Sequence, residues 1–154
     1  MRAEELVEEL RRAKEKYPEG RLSLLPALYV AQRRLGWLND DALSVVAQTL
    51  SIPRTAVRSV ASFYSMFRNK RMGRHLIQVC TNVACMIMGS EKIVDILRET
   101  YGVEPGGTNG DGRFSLIIME CIGACGTAPA MLVNDDFHDN LTGERVIDIL
   151  DRYQ

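Results

Sequence analysis

The sequence predicts an α+β protein with a helical first part and a second part built on a small sheet. Apolar residues repeat at helical spacing up to about residue 67, and they form short strand-like runs after residue 74. Charge changes at the same place. Residues 1–74 carry 14 basic and 8 acidic side chains, whereas residues 75–154 carry 5 and 12. A net charge of +6 followed by −7 indicates two regions with different surroundings.

The composition is that of an ordinary globular protein. The chain has 154 residues, of which 46% are apolar and 25% charged, and a chain of this length can bury a sizeable core. No apolar run approaches the roughly 20 residues needed to cross a bilayer. The first five residues, MRAEE, are charged and do not resemble a secretory signal. We therefore expect a soluble, cytoplasmic chain in a reducing compartment, with no direct membrane insertion.

Residues 1–72 are predicted to form a helical bundle domain of four short amphipathic helices. None of these helices can bury its apolar stripe alone, so they must pack on other elements. Ser23 and Asn39 are the predicted N-caps of the second and third helices, and Gly36 the C-terminal stop of the second. The four stripes are Leu6, Leu10, Ala13 and Tyr17; Leu24, Leu28, Ala31 and Leu35; Leu43, Val46, Ala47 and Leu50; and Val57, Val60, Ala61 and Tyr64.

The basic stretch 68–74, RNKRMGR, is the predicted boundary, and residues 73–154 are the second predicted domain. Ser90 and Thr142 are predicted to cap its two helices, and Gly102 to end the first of them. The order strand, helix, three strands, helix indicates a small sheet with helices packed on it. The predicted strands are residues 75–79, 114–119, 129–133 and 137–138.

Four cysteines lie in this acidic half, as Cys80 and Cys85 and then Cys121 and Cys125. Each pair begins where a predicted strand ends, so two loops at one edge of the sheet can bring four thiolates to one point. Four thiolates suit either Zn²⁺ or an iron–sulfur cluster.

Three kinds of chemistry are possible for these cysteines. Structural zinc prefers short knuckles with two to four intervening residues, and the four between Cys80 and Cys85 lie at that limit. Thiol–disulfide chemistry prefers a C-x-x-C motif, which the chain lacks, and structural disulfides suit secreted proteins. A [2Fe–2S] cluster held by two loops is favoured over zinc, although the spacing departs from that of plant-type ferredoxins.

The residues around the cysteines resemble a known family. Residues 80–86 (CTNVACM) with Gly89, residues 120–125 (ECIGAC) and residues 128–131 (APAM) are similar to the motifs of the thioredoxin-like [2Fe–2S] ferredoxin family. The first half resembles the helical N-terminal domain of the same family at Gln32, at residues 36–38 (GWL), at Ala47, Leu50, Ile52 and Pro53, at residues 60–64 (VASFY) and at Phe67. The resemblance covers nearly the whole chain.

The resemblance implies a thioredoxin-like second domain and a [2Fe–2S] cluster whose ligands are Cys80, Cys85, Cys121 and Cys125. It implies an electron-transfer subunit of an NADH–quinone oxidoreductase, with no catalytic site of its own. The partners would be a larger subunit that binds FMN, NADH and a [4Fe–4S] cluster, and other peripheral-arm subunits. Such a chain would lie at the inner face of the cell membrane through its complex. Subunits of NAD-linked hydrogenases and formate dehydrogenases are the alternative within the family.

Alternatives of another class are an iron–sulfur DNA-binding regulator and a zinc-stabilised interaction module. Residues 39–64 have the look of a helix-turn-helix, but Pro53 and the apolar residues after it leave few polar side chains to contact bases. We therefore predict no nucleic-acid partner. The glycine-rich residues 106–112 precede a strand, whereas a dinucleotide-binding loop follows one, so we expect FMN and NADH on a partner subunit. His75 and His138 have no metal-ligand spacing to a cysteine.

Two expectations concern the surroundings of the cysteines. The methionines Met86 and Met88 are interpreted as ordinary core residues. The acidic side chains around an anionic cluster should oppose its reduction, so neutralising Glu120 together with Asp111 should raise the reduction potential.

Overall fold

The computed structural model describes residues 3–154, which form two compact units divided between Arg71 and Met72. The first unit contains four helices, α1 (Ala3–Glu15), α2 (Leu24–Leu35), α3 (Asp40–Leu50) and α4 (Arg54–Phe63). Their apolar stripes meet in one core that includes Leu10, Leu28, Val46, Leu50 and Val57, all of them buried. The predicted helical first part is therefore confirmed.

The helix ends follow the sequence at some positions and depart from it at others. Asn39 caps α3, because the Ala42 N–H donates to its Oδ1 at 2.7 Å. Gly36 ends α2 in the left-handed conformation, with φ of +80°. Ser23 occupies the predicted N-cap position of α2, but its hydroxyl donates to the Gly20 carbonyl at 2.7 Å and caps no helical N–H. Tyr64 lies just beyond the end of α4, with extended backbone.

The second unit is built on a four-stranded mixed sheet. Its strands are β1 (His75–Cys80), β2 (Phe114–Met119), β3 (Met131–Val133) and β4 (Asp136–His138), in the order β2-β1-β3-β4. The inner strand β1 pairs in parallel with β2 and antiparallel with β3, and β4 is antiparallel to β3. The third strand is shorter than predicted, because it begins at Met131 and Pro129 has no N–H to donate to a ladder.

Three helices accompany this sheet: α5 (Val83–Ile87), α6 (Ser90–Tyr101) and α7 (Gly143–Leu150). A short 3₁₀ turn, Cys125–Thr127, follows β2. Helices α6 and α7 bury their apolar stripes with the sheet in a core that includes Ile77, Val79, Leu97, Phe114 and Leu150. The α+β class with helices preceding the sheet is thus confirmed.

Two predicted caps of the second unit have different outcomes. The Arg145 N–H donates to the Thr142 Oγ1 at 3.2 Å, so Thr142 caps α7 as predicted. The prediction for Ser90 is wrong, because Gly89, with φ of +94°, occupies the N-cap of α6 and Ser90 is the first helical residue. The Ser90 hydroxyl is buried and has no hydrogen-bond partner. Across residues 3–154, no helix combines the length and the apolar character needed to cross a membrane.

Candidate metal centre

The parallel pairing of β1 and β2 brings the first and third cysteines to the same edge of the sheet. Cys80 is the last residue of β1 and lies opposite Met119, the last residue of β2. The Thr81 N–H donates to the Met119 carbonyl at 3.1 Å and extends this pairing by one residue. Cys121 follows two residues after β2, so both cysteines leave the sheet at the carboxyl ends of neighbouring strands.

Cys85 is positioned by the short helix α5, which the sequence analysis did not predict. The Asn82 side chain caps this helix, since its Oδ1 accepts from the Val83 N–H at 2.7 Å. Cys85 lies on the inner side of the helix and is only 2% exposed. An Asn two residues after the strand is a helix-starting signal, and it could have indicated this turn of helix.

The second pair of cysteines lies on the loop that joins β2 to β3. Gly123 takes a φ of +80°, which turns the chain between Cys121 and Cys125. Its N–H donates to the Cys121 Sγ at 3.3 Å. Both thiols are exposed, and a Cβ added at Gly123 or Gly126 would meet no atom within 4 Å. This side of the site is therefore open.

The thiols of the first pair interact with each other and with the loop. Burial raises the pKa of the Cys85 thiol, and the Cys80 thiol beside it raises it further. Burial also acts to raise the pKa of Cys80. Hydrogen bonds to its sulfur from the Asn82 backbone, the Cys85 thiol, the Ile122 backbone and the Cys121 thiol outweigh burial and lower it. The lowered pKa makes the thiolate, which is the form that binds metals, easier to reach at Cys80 than at Cys85.

The structure brings the four predicted ligands to one edge of the second unit. The Cys80 sulfur forms hydrogen bonds with the Cys85 and Cys121 thiols. The charge of Cys125 acts to raise the pKa of Cys85. Within residues 3–154, no three His, Cys, Asp or Glu side chains have the mutual arrangement of a metal site. The ligand set therefore stays a prediction. The donors fit an iron–sulfur cluster in their chemistry, because soft thiolates are the ligands that such clusters select.

The apolar residues around Cys85 differ from the expectation. Met86 and Met88 are 48% and 60% exposed, so their interpretation as core residues is wrong. Helix α5 has only five residues and buries the side that carries Cys85, which leaves its apolar neighbours on the surface. The spacing of an isolated turn of helix cannot be recognised from periodicity, which needs a longer window.

The two acidic residues expected near the centre lie far apart. Glu120 is exposed and directly precedes Cys121, and its backbone carbonyl accepts from the Cys80 Sγ at 3.9 Å. Asp111 lies before the start of β2, where its Oδ1 accepts from the Arg113 N–H at 2.8 Å. The six residues of β2 separate the two by roughly 20 Å at the usual rise per residue. Of these two residues, Glu120 alone lies beside a cysteine.

Comparison with known proteins gives relatives along almost the full chain. The chain is 41% identical over 147 residues to a subunit of the NADH-quinone oxidoreductase of Rhizobium meliloti, covering 96% of this chain and 88% of the relative. It is 36% identical over 147 residues to a subunit of the NADH-quinone oxidoreductase of Salmonella typhimurium, covering 96% of this chain and 89% of the relative. It is also 39% identical over 140 residues to the mitochondrial NADH dehydrogenase [ubiquinone] flavoprotein 2 of Dictyostelium discoideum, with 89% and 57% covered.

A solved structure is similar as well. It is that of the NAD⁺-reducing [NiFe]-hydrogenase in the air-oxidized state, with a TM-score of 0.74 and 26% sequence identity. The match covers 85% of this chain and 22% of the hydrogenase chain, so this protein spans about a fifth of that chain's length. The model of the thioredoxin-like [2Fe–2S] ferredoxin family matches residues 10–154, which include all four cysteines. The chain belongs to the thioredoxin-like [2Fe–2S] ferredoxin family.

Proposed function

We propose that this chain is the [2Fe–2S]-carrying electron-transfer subunit of an NADH–quinone oxidoreductase. Its nearest partner is a larger subunit that binds FMN, NADH and a [4Fe–4S] cluster, and other peripheral-arm subunits complete the assembly. The complex lies at the inner face of the cell membrane. Oxidation of NADH belongs to the complex, and this chain contributes no catalytic residue of its own.

The observation that carries the proposal is the position of the four cysteines within a family match that spans residues 10–154. Cys80 is the last residue of β1 and Cys121 lies two residues after the parallel strand β2, and a second cysteine lies five residues after Cys80 and four after Cys121. The relatives at 36% and 41% identity over 96% of this chain are named as subunits of NADH-quinone oxidoreductase. A family likeness alone would support the cluster, and these relatives support the host complex.

Cys80, Cys85, Cys121 and Cys125 would hold the cluster, which takes up and releases one electron when bound. The two pairs of cysteines would place the cluster between a buried side and an exposed side. Cys80 and Cys85 are buried beside Ala128, Ala84 and Ile122, which keep water from that side. Cys121 and Cys125 are exposed, and the Gly123 N–H donates to a sulfur there. Such N–H to sulfur bonds stabilise negative charge and tune the potential of a cluster.

A subunit of an NAD-linked hydrogenase is the second candidate within the family, supported by the likeness to the NAD⁺-reducing hydrogenase. A DNA-binding regulator is less well supported. Arg54 and Arg58 of α4 both form ion pairs with Asp40, so their guanidinium groups are partly neutralised rather than available to phosphates.

Anaerobic purification of the full chain tests the cluster. We expect two iron and two inorganic sulfide atoms per chain, and an EPR signal that appears only on reduction. Zinc without sulfide would overturn the proposal in favour of a zinc-stabilised module. NADH-dependent reduction of the cluster in the purified complex, with quinone as the final acceptor, distinguishes the oxidoreductase from the hydrogenase.

Replacing one predicted ligand tests the ligand set. Cys121→Ala should lose most of the iron and the EPR signal, because three thiolates leave one iron under-coordinated. The control is His75→Ala, since His75 lies at the opposite end of β1 from Cys80 and should leave iron and sulfide unchanged. An unaltered EPR spectrum in Cys121→Ala would remove Cys121 from the ligand set.

A further inference from the structure

Helix α5 and the residue after it present an apolar surface beside the cysteines. Val83, Met86, Ile87 and Met88, which we call the α5 face, are 63%, 48%, 73% and 60% exposed. Residues 81–89 contain no charged side chain. Soluble proteins rarely leave adjacent large apolar side chains in water unless a partner covers them, so this surface requires an explanation.

The size and composition of the α5 face are those of an interface centre. Four side chains exposed to this extent present on the order of 400 Å² of apolar surface, within the range of functional patches on monomers. Methionine is enriched in protein interfaces and charged residues are depleted at their centres, as they are here. A stable interface covers about 800 Å² on each partner, so the α5 face would be the centre of a larger contact.

A cavity adjoins this face. It has a volume of about 390 Å³, and Met86, Ile87 and Met88 form one part of its lining. Ile93 and Ile96 of α6, with Leu141 before α7, line another part, and the charged Glu91 and Lys92 also belong to the lining. A cavity of this kind beside an exposed apolar surface can accept an anchor side chain from a partner, which is how binding energy concentrates at interface centres.

The net charge of the second unit disfavours a second copy of this chain as the occupant of the α5 face. Residues 75–154 carry 5 basic and 12 acidic side chains, so two copies that met through this unit would repel one another. A different protein with an apolar centre and a neutral or basic rim suits the surface better. In the similar hydrogenase, the matching region is 22% of one long chain, so there it is joined to a much larger body of protein.

We propose that the α5 face and its adjoining cavity are the surface on which the FMN-binding partner subunit docks. The inference rests on the proposed function, which supplies this partner. Helix α5 carries Cys85 on its inner side and the α5 face on its outer side, so a partner seated there lies next to the cysteines. Docking at this place would bring an electron donor close to the cluster and cover the apolar surface at the same time.

The test measures flavin that copurifies with the tagged full chain expressed in its own host. Ile87→Glu and, separately, Met88→Glu place a charge at the centre of the α5 face. Phe137→Glu is the matched control, because Phe137 is also an exposed apolar residue of the second unit, 50% exposed, but lies on the edge strand β4. Iron and sulfide per chain are measured on each preparation to establish that the cluster is retained.

We expect FMN per chain to fall at least tenfold in Ile87→Glu and Met88→Glu, with iron and sulfide at the wild-type level, and to stay unchanged in Phe137→Glu. Wild-type FMN content in both α5 variants would overturn the docking surface and leave the proposed function standing. If the wild-type chain contains the cluster but no FMN copurifies with it, the proposed partner and the proposed docking surface would both be overturned. A wild-type dimer that Ile87→Glu converts to a monomer would identify a second copy as the occupant and overturn the proposal.

Discussion

Glu120 is the acidic residue whose position matters most for the proposed cluster. It directly precedes Cys121, and it is exposed at the sheet edge where the cysteines lie. A negative charge close to an anionic cluster opposes the arrival of an electron. Asp111 has the same charge, but it lies at the other end of β2 and pairs with the Arg113 backbone.

Neutralising Glu120 should therefore raise the reduction potential of the cluster. We expect Glu120→Gln to raise it by on the order of a few tens of millivolts, the effect of one charge within about 8 Å at a partly solvated site. Asp111→Asn is the control and should change the potential much less. Redox titration followed by EPR measures both variants, and equal shifts in the two would contradict the local effect assigned to Glu120.

Single residues also show where local sequence rules stop being sufficient. Asn39 and Thr142 cap helices as their identities predict, whereas Ser23 and Ser90 do not. The Ser23 hydroxyl bonds to Gly20, and a glycine with positive φ takes the cap position before Ser90. A short polar side chain has several backbone partners within reach, and the surrounding fold selects among them.

At the scale of the element, α3 depends on one side-chain hydrogen bond at its start. The Ala42 N–H donates to Asn39 Oδ1, which satisfies a donor that the helix itself cannot. We expect Asn39→Ala to lower the free energy of unfolding by about 1 kcal/mol. Asn39→Ser keeps an accepting oxygen and should cost much less. Chemical denaturation measures the difference, and equal losses in both variants would show that the cap bond is not the cause.

Strand β4 contacts the segment after α7 through titratable side chains. The Tyr153 hydroxyl donates to Asp136 Oδ2 at 2.7 Å, and the His138 Nε2 lies 3.2 Å from the same hydroxyl. Burial lowers the pKa of His138. Arg145 and Arg152 also lower it, against Asp136 and Asp139, which raise it. The folded protein therefore favours neutral His138.

This lowered pKa makes stability depend on pH in one direction. Below the ordinary histidine pKa of about 6.5 the unfolded chain binds a proton that folded His138 resists, so acid favours unfolding. The contribution is complete above that pH and is lost as pH falls through the lowered value. We expect the melting temperature of the wild type to fall more between pH 7.5 and 5.5 than that of His138→Gln. An equal fall in both proteins would exclude this contribution.

At the scale of the whole molecule, long and regular patterns were predictable and the shortest helical segments were not. The stripes of α1 to α4, α6 and α7 repeat over two or more turns, and the strands β1 and β2 are mostly apolar runs, so their existence follows from the sequence. Helix α5 has five residues and the turn at Cys125 has three, which is too short for any periodicity. The exposure of Met86 and Met88 depends on the position of α5, so it could not be predicted when α5 itself was not.

The candidate site was predictable for a different reason. Cysteine spacing and the strand ends place the two pairs, and the parallel register of β1 with β2 then brings them to one edge. The open side around Cys121 and Cys125 depends on the loop conformation at Gly123, which no spacing rule contains. Residue identity thus predicts the chemistry of the site, whereas the exposure of the site depends on the tertiary structure.

The division of the chain after Arg71 leads to a prediction for its parts. The core of the second unit consists of residues between Ile77 and Leu150, and its sheet and all four cysteines lie within residues 72–154. A segment of this size with its own sheet and core meets the requirements of an independent domain. We propose that it is one.

Residues 72–154 expressed alone should fold and bind the cluster with the same iron and sulfide content and EPR spectrum as the full chain. Residues 1–71 expressed alone should be helical by circular dichroism and contain no iron, because they contain no cysteine. A cooperative thermal transition in the cluster-containing fragment would establish that its core suffices for folding. A fragment 72–154 that has the sequence of the site but neither a cooperative transition nor bound iron would show that the cluster unit folds only with the helical bundle, and the proposed domain boundary would be wrong.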